Sequence, residues 1–431
     1  MPTTNTKNTV QQRSILFAIS PTEDGDRLVS ENIDFVFDEF EAQKNTMCLD
    51  YFNAKPESID EQVALRNMQY ADLVHACREL SSPLQANRNK DPESLIRKFN
   101  SLNAELFGPL DYELFSLCLN VRIKQLKESE LDSARRALKI LIPFQNTQEK
   151  ESSMSLVKGE LLDEFRQELY STIQPAIDMF HTSPLQKFSH KDLLKLFNES
   201  LTALSQESHN GWGDWRAVRT DSSVISVNSS DKTINVGGFS PDRSRTKTLC
   251  LLAHELGVHA QRVVNGEKAS KNELLSKGLP GYIDFEEGFG IFAEYAITNR
   301  VQNIHIDRYV DIGLAIGIGK TQPLTRKQLL ALATHRNIAV GETSANAQKQ
   351  AKIHINRIFR GGDGLMHNGQ QAVFMKDAAY LRGFVRCSAF ISEHSKIHDM
   401  DQIVAYLLSG KFDPYLKDHV KYLELIASIK I

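Results

Sequence analysis

Between Thr248 and Arg262 the chain reads Thr-Leu-Cys-Leu-Leu-Ala-His-Glu-Leu-Gly-Val-His-Ala-Gln-Arg, an apolar helical run carrying His254, Glu255 and His259. Two imidazoles flanking a carboxylate can hold a zinc ion and activate water. The familiar spacing for that is H-E-x-x-H, with both histidines on one helix face. Here one residue is added, giving H-E-x-x-x-H. On an ideal helix, positions i and i+5 differ by about 140° in azimuth, so the two rings cannot face one ion unless the helix is distorted. A single-turn π-bulge absorbs one residue, and such bulges concentrate at functional sites. Gly257 lies inside the insertion, where it lowers the steric cost of irregular backbone. If the segment is a metal site, its helix is distorted between the two histidines, and a π-bulge is a distortion that the spacing allows.

The chain has 431 residues, room for two or three domains and a sizeable core. Its 51 basic and 54 acidic residues leave a net charge of −3, which offers no electrostatic footprint for nucleic acid or an anionic membrane surface. The five cysteines are scattered, odd in number and free of C-x-x-C pairs, as in a reducing, cytoplasmic setting. No apolar stretch approaches the roughly 20 residues that span a bilayer. The expected organisation is a disordered tail over 1–13, a helical region over 14–150, and a catalytic domain over 151–431. The charged run Asn146–Ser153 is the linker candidate. The fold class expected is α+β and mostly helical, with a small antiparallel sheet. Val224–Asn228 and Thr233–Gly237 alternate as two strands of a hairpin. Ser240-Pro-Asp reads as the start of the histidine helix and Asn265-Gly266 as its C-cap. A second helix is expected over about Asp284–Arg300.

That second helix carries Glu286-Glu-Gly-Phe-Gly-Ile-Phe-Ala-Glu294. A catalytic zinc site uses three protein ligands and leaves one position open. Glu287, pointing back at the first helix, completes a His254, His259, Glu287 set. Glu294 lies two turns along the same face and is placed to orient one of the histidines through its other ring nitrogen. Strand, histidine helix, loop and glutamate helix together make a zincin-like layout of the gluzincin type. The competing reading is a buried pair of histidines satisfied by neighbouring side chains.

The same segments resemble a known family. The H-E-x-x-x-H helix followed by Glu286-Glu-Gly-Phe-Gly290 looks like the QEGLA-motif proteins, described as flavohaemoglobin-expression modulators, whose eukaryotic relatives are the microtubule-associated tyrosine carboxypeptidases. Asn103-Ala-Glu-Leu-Phe-Gly108, Asp111-Tyr-Glu-Leu-Phe115, Ile225-Ser-Val-Asn228, Arg360-Gly and Phe374–Gly383 fit as well, so the resemblance spans about residues 95–385. It implies one zinc ion per chain on His254, His259 and Glu287, with Glu255 as the catalytic glutamate. This chain departs from the family name at Glu286, Phe289 and Gly290, which replace Gln, Leu and Ala.

The activity expected is peptide-bond hydrolysis with Glu255 as general base, in the form of removal of C-terminal residues, tyrosine or another aromatic, from a peptide or protein. Tyr380 and Lys376 are the candidate oxyanion donors. A free C-terminus needs a carboxylate receptor, for which Arg360 and Arg357 are the candidates, with Tyr282 in reserve. The alternatives are an aminopeptidase like dipeptidyl-peptidase III, which shares the H-E-x-x-x-H helix, and a non-catalytic regulator retaining the zinc fold. Neither nucleic acid nor membrane is an expected partner. Three weaker signals are set aside: His394 and His398 read as a solvated helix face, Cys250 as packing beneath the site, and Trp212 and Trp215 as core. Gly319-Lys-Thr321 fails as a phosphate loop because position 314 is Leu.

Overall fold

The computed structural model describes residues 57–81, 91–145, 156–207, 211–222, 224–270, 273–320, 322–362 and 364–427, with 429 and 431. The expected tail over 1–13 and the linker at 146–153 lie outside the described residues.

Among the described residues four α-helices come first: α1 (Glu57–Ser81), α2 (Pro92–Phe107), α3 (Tyr112–Lys127) and α4 (Asp132–Leu141). Their starts follow from local chemistry. Asp91 accepts from the Ser94 amide ahead of Pro92, and Asp111 accepts from that of Leu114. Helices α5 (Glu160–Thr172), α6 (Gln174–Thr182) and α7 (His190–Glu207) follow. Pro175 stops α5 but sits at the first turn of α6, where its missing N–H costs nothing.

Five short strands come next in space: β1 (Lys187–Phe188), β2 (Arg216–Thr220), β3 (Ile225–Asn228), β4 (Thr233–Gly237) and β5 (Arg243–Ser244). The β3–β4 hairpin is antiparallel as expected, pairing Ile225 with Val236 and Asn228 with Thr233. The sheet as a whole is not antiparallel. Strand β2 adds to the other side of β4 in parallel, giving the order β2-β4-β3 and leaving β3 on an edge. Strands β1 and β5 form a separate antiparallel pair. That pair delays the next helix. Arg243 and Ser244 are still extended, so α8 (Arg245–Leu251) begins under a Ser244 cap and not at Ser240-Pro241.

From α8 the chain runs without a break through a π-helix, Leu252–Ala260, into α9 (Gln261–Ala269). Gly266 does not end it. Gly266 is interior to α9, where a β-carbon would run into the backbone of Leu275 and Ser276. After α10 (Leu274–Lys277) comes α11 (Ile283–Thr298), closed by Asn299 in the left-handed conformation at φ 48°. The remaining helices are α12 (Asn303–Ile316), α13 (Arg326–Ala339), α14 (Ser344–Ile358), α15 (Ala378–His394), α16 (Met400–Leu407) and α17 (Lys417–Tyr422). The fold is thus mostly helical with small sheets. No helix among the described residues is long and apolar enough to cross a membrane.

Packing explains where the site lies. One large apolar cluster joins Phe115, Leu119, Ile123 and Leu141 of α3–α4 to Phe285, Phe289 and Phe292 of α11 and Phe384 and Phe390 of α15. A second gathers the sheet, α7 and the two buried tryptophans, Trp212 and Trp215. The π-helix is wedged between them. Its Ala253 and Val258 belong to the first cluster, and Leu252, Leu256 and Ala260 to the second. Helices α11 and α15 cross at Gly288 and Gly383, each of which lacks room for a β-carbon against the other helix's backbone. Arg382, beside that crossing, binds both oxygens of Asp284 and the carbonyls of Phe107 and Pro109. It thereby ties the end of α2 to the glutamate helix.

Candidate metal centre

The π-helix resolves the spacing problem set by the sequence. In a π-helix the backbone bonds run from i to i+5, so His254 and His259 stand on one face. Their Nε2 atoms are 3.0 Å apart, and Glu287 Oε2 is 3.8 Å from His259 Nε2. One donor atom from each of His254, His259 and Glu287 lies within 4.8 Å of the others, the one such group found among the described residues. Gly257 serves this geometry differently from the expectation. Its φ is not positive; a β-carbon there would meet Ile173 Cδ1 at 3.2 Å and Leu169 Cδ1 at 3.5 Å, so the glycine makes room for α5 and the residue after it.

The outer nitrogens decide what the inner ones can do. His254 Nδ1 is 2.7 Å from Glu294 Oε1, whose partner oxygen accepts from Gln302 Nε2 at 2.7 Å. His259 Nδ1 is 2.8 Å from Glu286 Oε1. A carboxylate partner assigns the proton to Nδ1 in both rings. Each Nε2 is then left with its lone pair, and the two nitrogens stand 3.0 Å apart. Two acceptors at hydrogen-bond distance repel unless a proton or a cation lies between them. Two imidazoles with Nδ1 held and a nearby carboxylate also form a donor set suited to zinc. The residues present fit the ion.

The protonation states carry the same strain. Burial pushes His254 down, but Glu294, Glu255 and Glu287 outweigh it and lift its pKa to about 9. Glu294 is drawn below its ordinary value by His254, His305 and Arg243, against the opposing effect of burial. Glu255 is buried and its pKa is raised, chiefly by desolvation, with Glu287 and Glu294 adding repulsion and the two histidines opposing it. A carboxylate of that kind readily takes up a proton.

The other candidates distribute unevenly. Tyr380, on α15, stacks on His305 with ring centroids 5.9 Å apart, and burial with the charges of Glu287 and Asp377 raises its pKa well above the ordinary value. Arg357 is engaged by Asp377, donating to both carboxylate oxygens at 2.6 and 2.7 Å. Arg360 is buried with its guanidinium 6.0 Å from the Phe374 ring, and burial lowers its pKa to about 10. Lys376 is buried in the turn before α15. Tyr282 lies one helical turn before Glu286, with Lys411 Nζ 5.9 Å from its ring centre. Cys250 lies beneath the site, its Sγ 4.0 Å from the Glu294 carbonyl.

Two further groups stand at the site. Glu286, immediately before Glu287, reaches His259 from behind. Arg308, on α12, lies 3.6 Å from Asp377 Oδ2 and within the electrostatic reach of Glu287 and Tyr380. Nothing in the local sequence distinguishes Arg308 from other helical arginines. Glu286 is visible in the sequence only as the neighbour of the candidate ligand Glu287 and as a departure from the family motif.

Residues 85–427 match the family described as Microtubule-associated tyrosine carboxypeptidase. No curated protein and no solved structure matches the chain. The family match takes in every helix from α2 to α17, including the π-helix and both glutamates of α11, and on that extent the chain belongs to the microtubule-associated tyrosine carboxypeptidase family.

Proposed function

We propose that this chain is a zinc-dependent carboxypeptidase of gluzincin type, holding one Zn2+ through His254, His259 and Glu287 and removing a C-terminal tyrosine or another aromatic residue from a peptide or protein. The observation that carries the reading is the pair of imidazole Nε2 atoms 3.0 Å apart with Glu287 beside them and Glu255 within their electrostatic reach. Family membership supports carboxypeptidase chemistry over an aminopeptidase or a non-catalytic regulator.

When bound, zinc supplies Lewis acidity toward a scissile carbonyl and toward water. Glu255 takes the proton of the attacking water on a carboxylate oxygen and hands it to the departing amine. Its raised pKa suits both halves of that transfer. Glu294 and Glu286 keep the protons on the Nδ1 atoms, so that both Nε2 atoms remain donors of lone pairs. Tyr380 is the better-placed of the oxyanion donors, because it lies in the field of Glu287 and burial keeps its hydroxyl protonated.

The substrate's terminal carboxylate needs a cationic receptor. Around Asp377 stand Arg308, Arg357 and Arg360, three cations facing one carboxylate. Arg357 holds both Asp377 oxygens, Arg308 lies 3.6 Å from one of them, and Arg308 with Arg360 is the proposed receptor pair. Strand β3, on the sheet edge beside the π-helix, supports the substrate backbone as an added strand.

The decisive experiment pairs Glu255→Gln with end-blocked peptides. Glu255→Gln should retain stoichiometric zinc and lose hydrolysis by about a hundredfold or more, since general-base catalysis is worth about 10²–10⁴-fold. Wild-type protein should cut peptides with a free C-terminus and spare amidated ones. Equal cleavage of both, or activity retained by Glu255→Gln, contradicts the assignment.

A further inference from the structure

Glu286 stands outside the candidate ligand set, yet at 4% exposure it is one of the most deeply buried carboxylates of the fold. Three donors converge on it. His259 Nδ1 lies 2.8 Å from Oε1, Arg262 Nη1 donates to Oε2, and Lys411 Nζ is 3.7 Å from Oε1. Each cation is itself fixed. Arg262, fully buried, donates from Nε to the Gly410 carbonyl at 2.6 Å and from Nη2 to that of Phe412 at 2.7 Å. Lys411 donates to Ser229 Oγ at 2.8 Å in the β3–β4 turn. Its backbone is clamped on both sides, N–H to the Leu275 carbonyl at 2.6 Å and C=O to the Leu279 amide at 3.0 Å.

We propose that Glu286 is a positioning residue for His259, and that its negative charge, held between Arg262 and Lys411, sets the tautomer and direction of that imidazole. The inference rests on the zinc reading above. A neutral amide at 286 can accept from His259 Nδ1 with its one oxygen, but its NH2 group then meets the N–H groups of Arg262, donor against donor. Removing the charge also leaves Arg262 and Lys411 buried without their carboxylate, which is costly in a dry interior. Charge and geometry are therefore both required. The segment from Leu408 to Phe412 becomes a brace reaching from the metal helix to the β3–β4 turn, since Asn265 Nδ2 also donates to the Leu408 carbonyl at 3.0 Å.

The test uses the full chain, loaded in turn with Zn2+ and Co2+, and does not depend on activity. Glu286→Ala should weaken zinc binding, measured by chelator competition, by about 10–100-fold, the usual effect of removing a carboxylate behind a ligand histidine. The visible absorption of the Co2+ protein should shift as well. Glu286→Gln should shift it in the same direction with a smaller loss of affinity. The double variant Glu286→Gln, Lys411→Met should recover part of that loss, because no ammonium is left unpaired. If Glu286→Ala and Glu286→Gln both keep wild-type zinc affinity and an unchanged cobalt spectrum while His259→Ala loses the metal, the positioning role is overturned and the zinc reading stands. If wild-type protein takes up no stoichiometric zinc, the zinc reading fails and takes this one with it. Should Glu286→Ala not fold by circular dichroism, the Gln variant and the double variant decide in the same terms.

Discussion

Replacing Gly288 by Ala tests whether the site depends on the close crossing of α11 and α15. A β-carbon at 288 would fall on backbone atoms of Gly383 and Phe384, none of which can rotate away. Restoring an ordinary carbon–carbon contact of about 3.5 Å requires the two helices to part by at least about 1 Å. That movement loosens Phe292 against Phe384, now 6.1 Å between ring centres, and Phe285 against Phe390 at 6.3 Å. Overpacking costs typically about 1–3 kcal/mol, and the upper end applies because backbone meets backbone. At about 2.1 cal/mol/K of unfolding entropy per residue, a chain of 431 residues shifts by about 1 °C per kcal/mol, so the melting temperature should fall by roughly 3 °C. Glu287 travels with the displaced helix, so zinc affinity should fall too. Gly257→Ala is the control. Its β-carbon would meet only the methyl ends of Ile173 and Leu169, at 3.2 and 3.5 Å, and these can turn aside. The control should stay within about 1 kcal/mol of wild type, helped by the helix propensity of alanine. Thermal melts with and without zinc, together with chelator competition, give both readouts. A Gly288→Ala protein that melts within a degree of wild type and binds zinc equally well refutes the reasoning.

Two further outcomes follow from protonation. Burial, helped by Arg66 and Arg262, pushes His419 down to about 4; it stays neutral, accepting at Nδ1 from the Asp413 amide and pairing Nε2 with the Pro280 carbonyl. The unfolded chain binds that proton near pH 6.5, so this contribution to stability is present above about 6.5 and is lost as the pH falls toward 4. Melting temperatures of wild type should therefore drop more steeply between pH 7 and 4.5 than those of His419→Gln, and parallel curves count against it. Zinc uptake at pH 7 should expel close to one proton per ion, because without metal His254 titrates at about 9. Affinity should then fall up to about tenfold per pH unit below 9; binding heats identical in buffers of different ionisation enthalpy would disprove this.

What could be read from the sequence divides along physical lines. The π-helix was legible because it follows from arithmetic on one helix: three functional side chains at known spacing allow few backbones. The β3–β4 hairpin was legible because alternation and a polar turn are local, and Asn228 Oδ1 indeed accepts from the Ser230 and Asp231 amides. Strand β2 was not, since its partner β4 lies across an intervening strand and Arg216–Thr220 has no apolar face to announce it. Ser240-Pro241 and Gly266 misled for a related reason. Both carry genuine end signals, but pairing of β5 with β1 and the approach of Leu275 override them. Arg357 was a reasonable carboxylate receptor until Asp377, twenty residues on, claimed it from the start of another helix. Long-range partners decide which polar residues are free, and a sequence does not print them.

The same principle orders the charges of the site. Glu255, Glu286, Glu287 and Glu294 surround two imidazoles, and within ion-pair distance the fold supplies two cations, Arg262 and Lys411, both to Glu286. Four carboxylates against two cations leave an excess of two negative charges around His254 and His259. The excess is what lifts His254 above its ordinary value, and it adds to the burial that raises Glu255. A divalent cation at the shared focus of the Nε2 atoms offsets it in full, whereas a single proton offsets half. On the proposed zinc reading, the preference for an ion over a proton would be set by Glu294 and Glu286 as much as by the three groups that would touch it. A variant lacking either outer carboxylate should shift that competition toward an empty, less charged site even with every ligand in place.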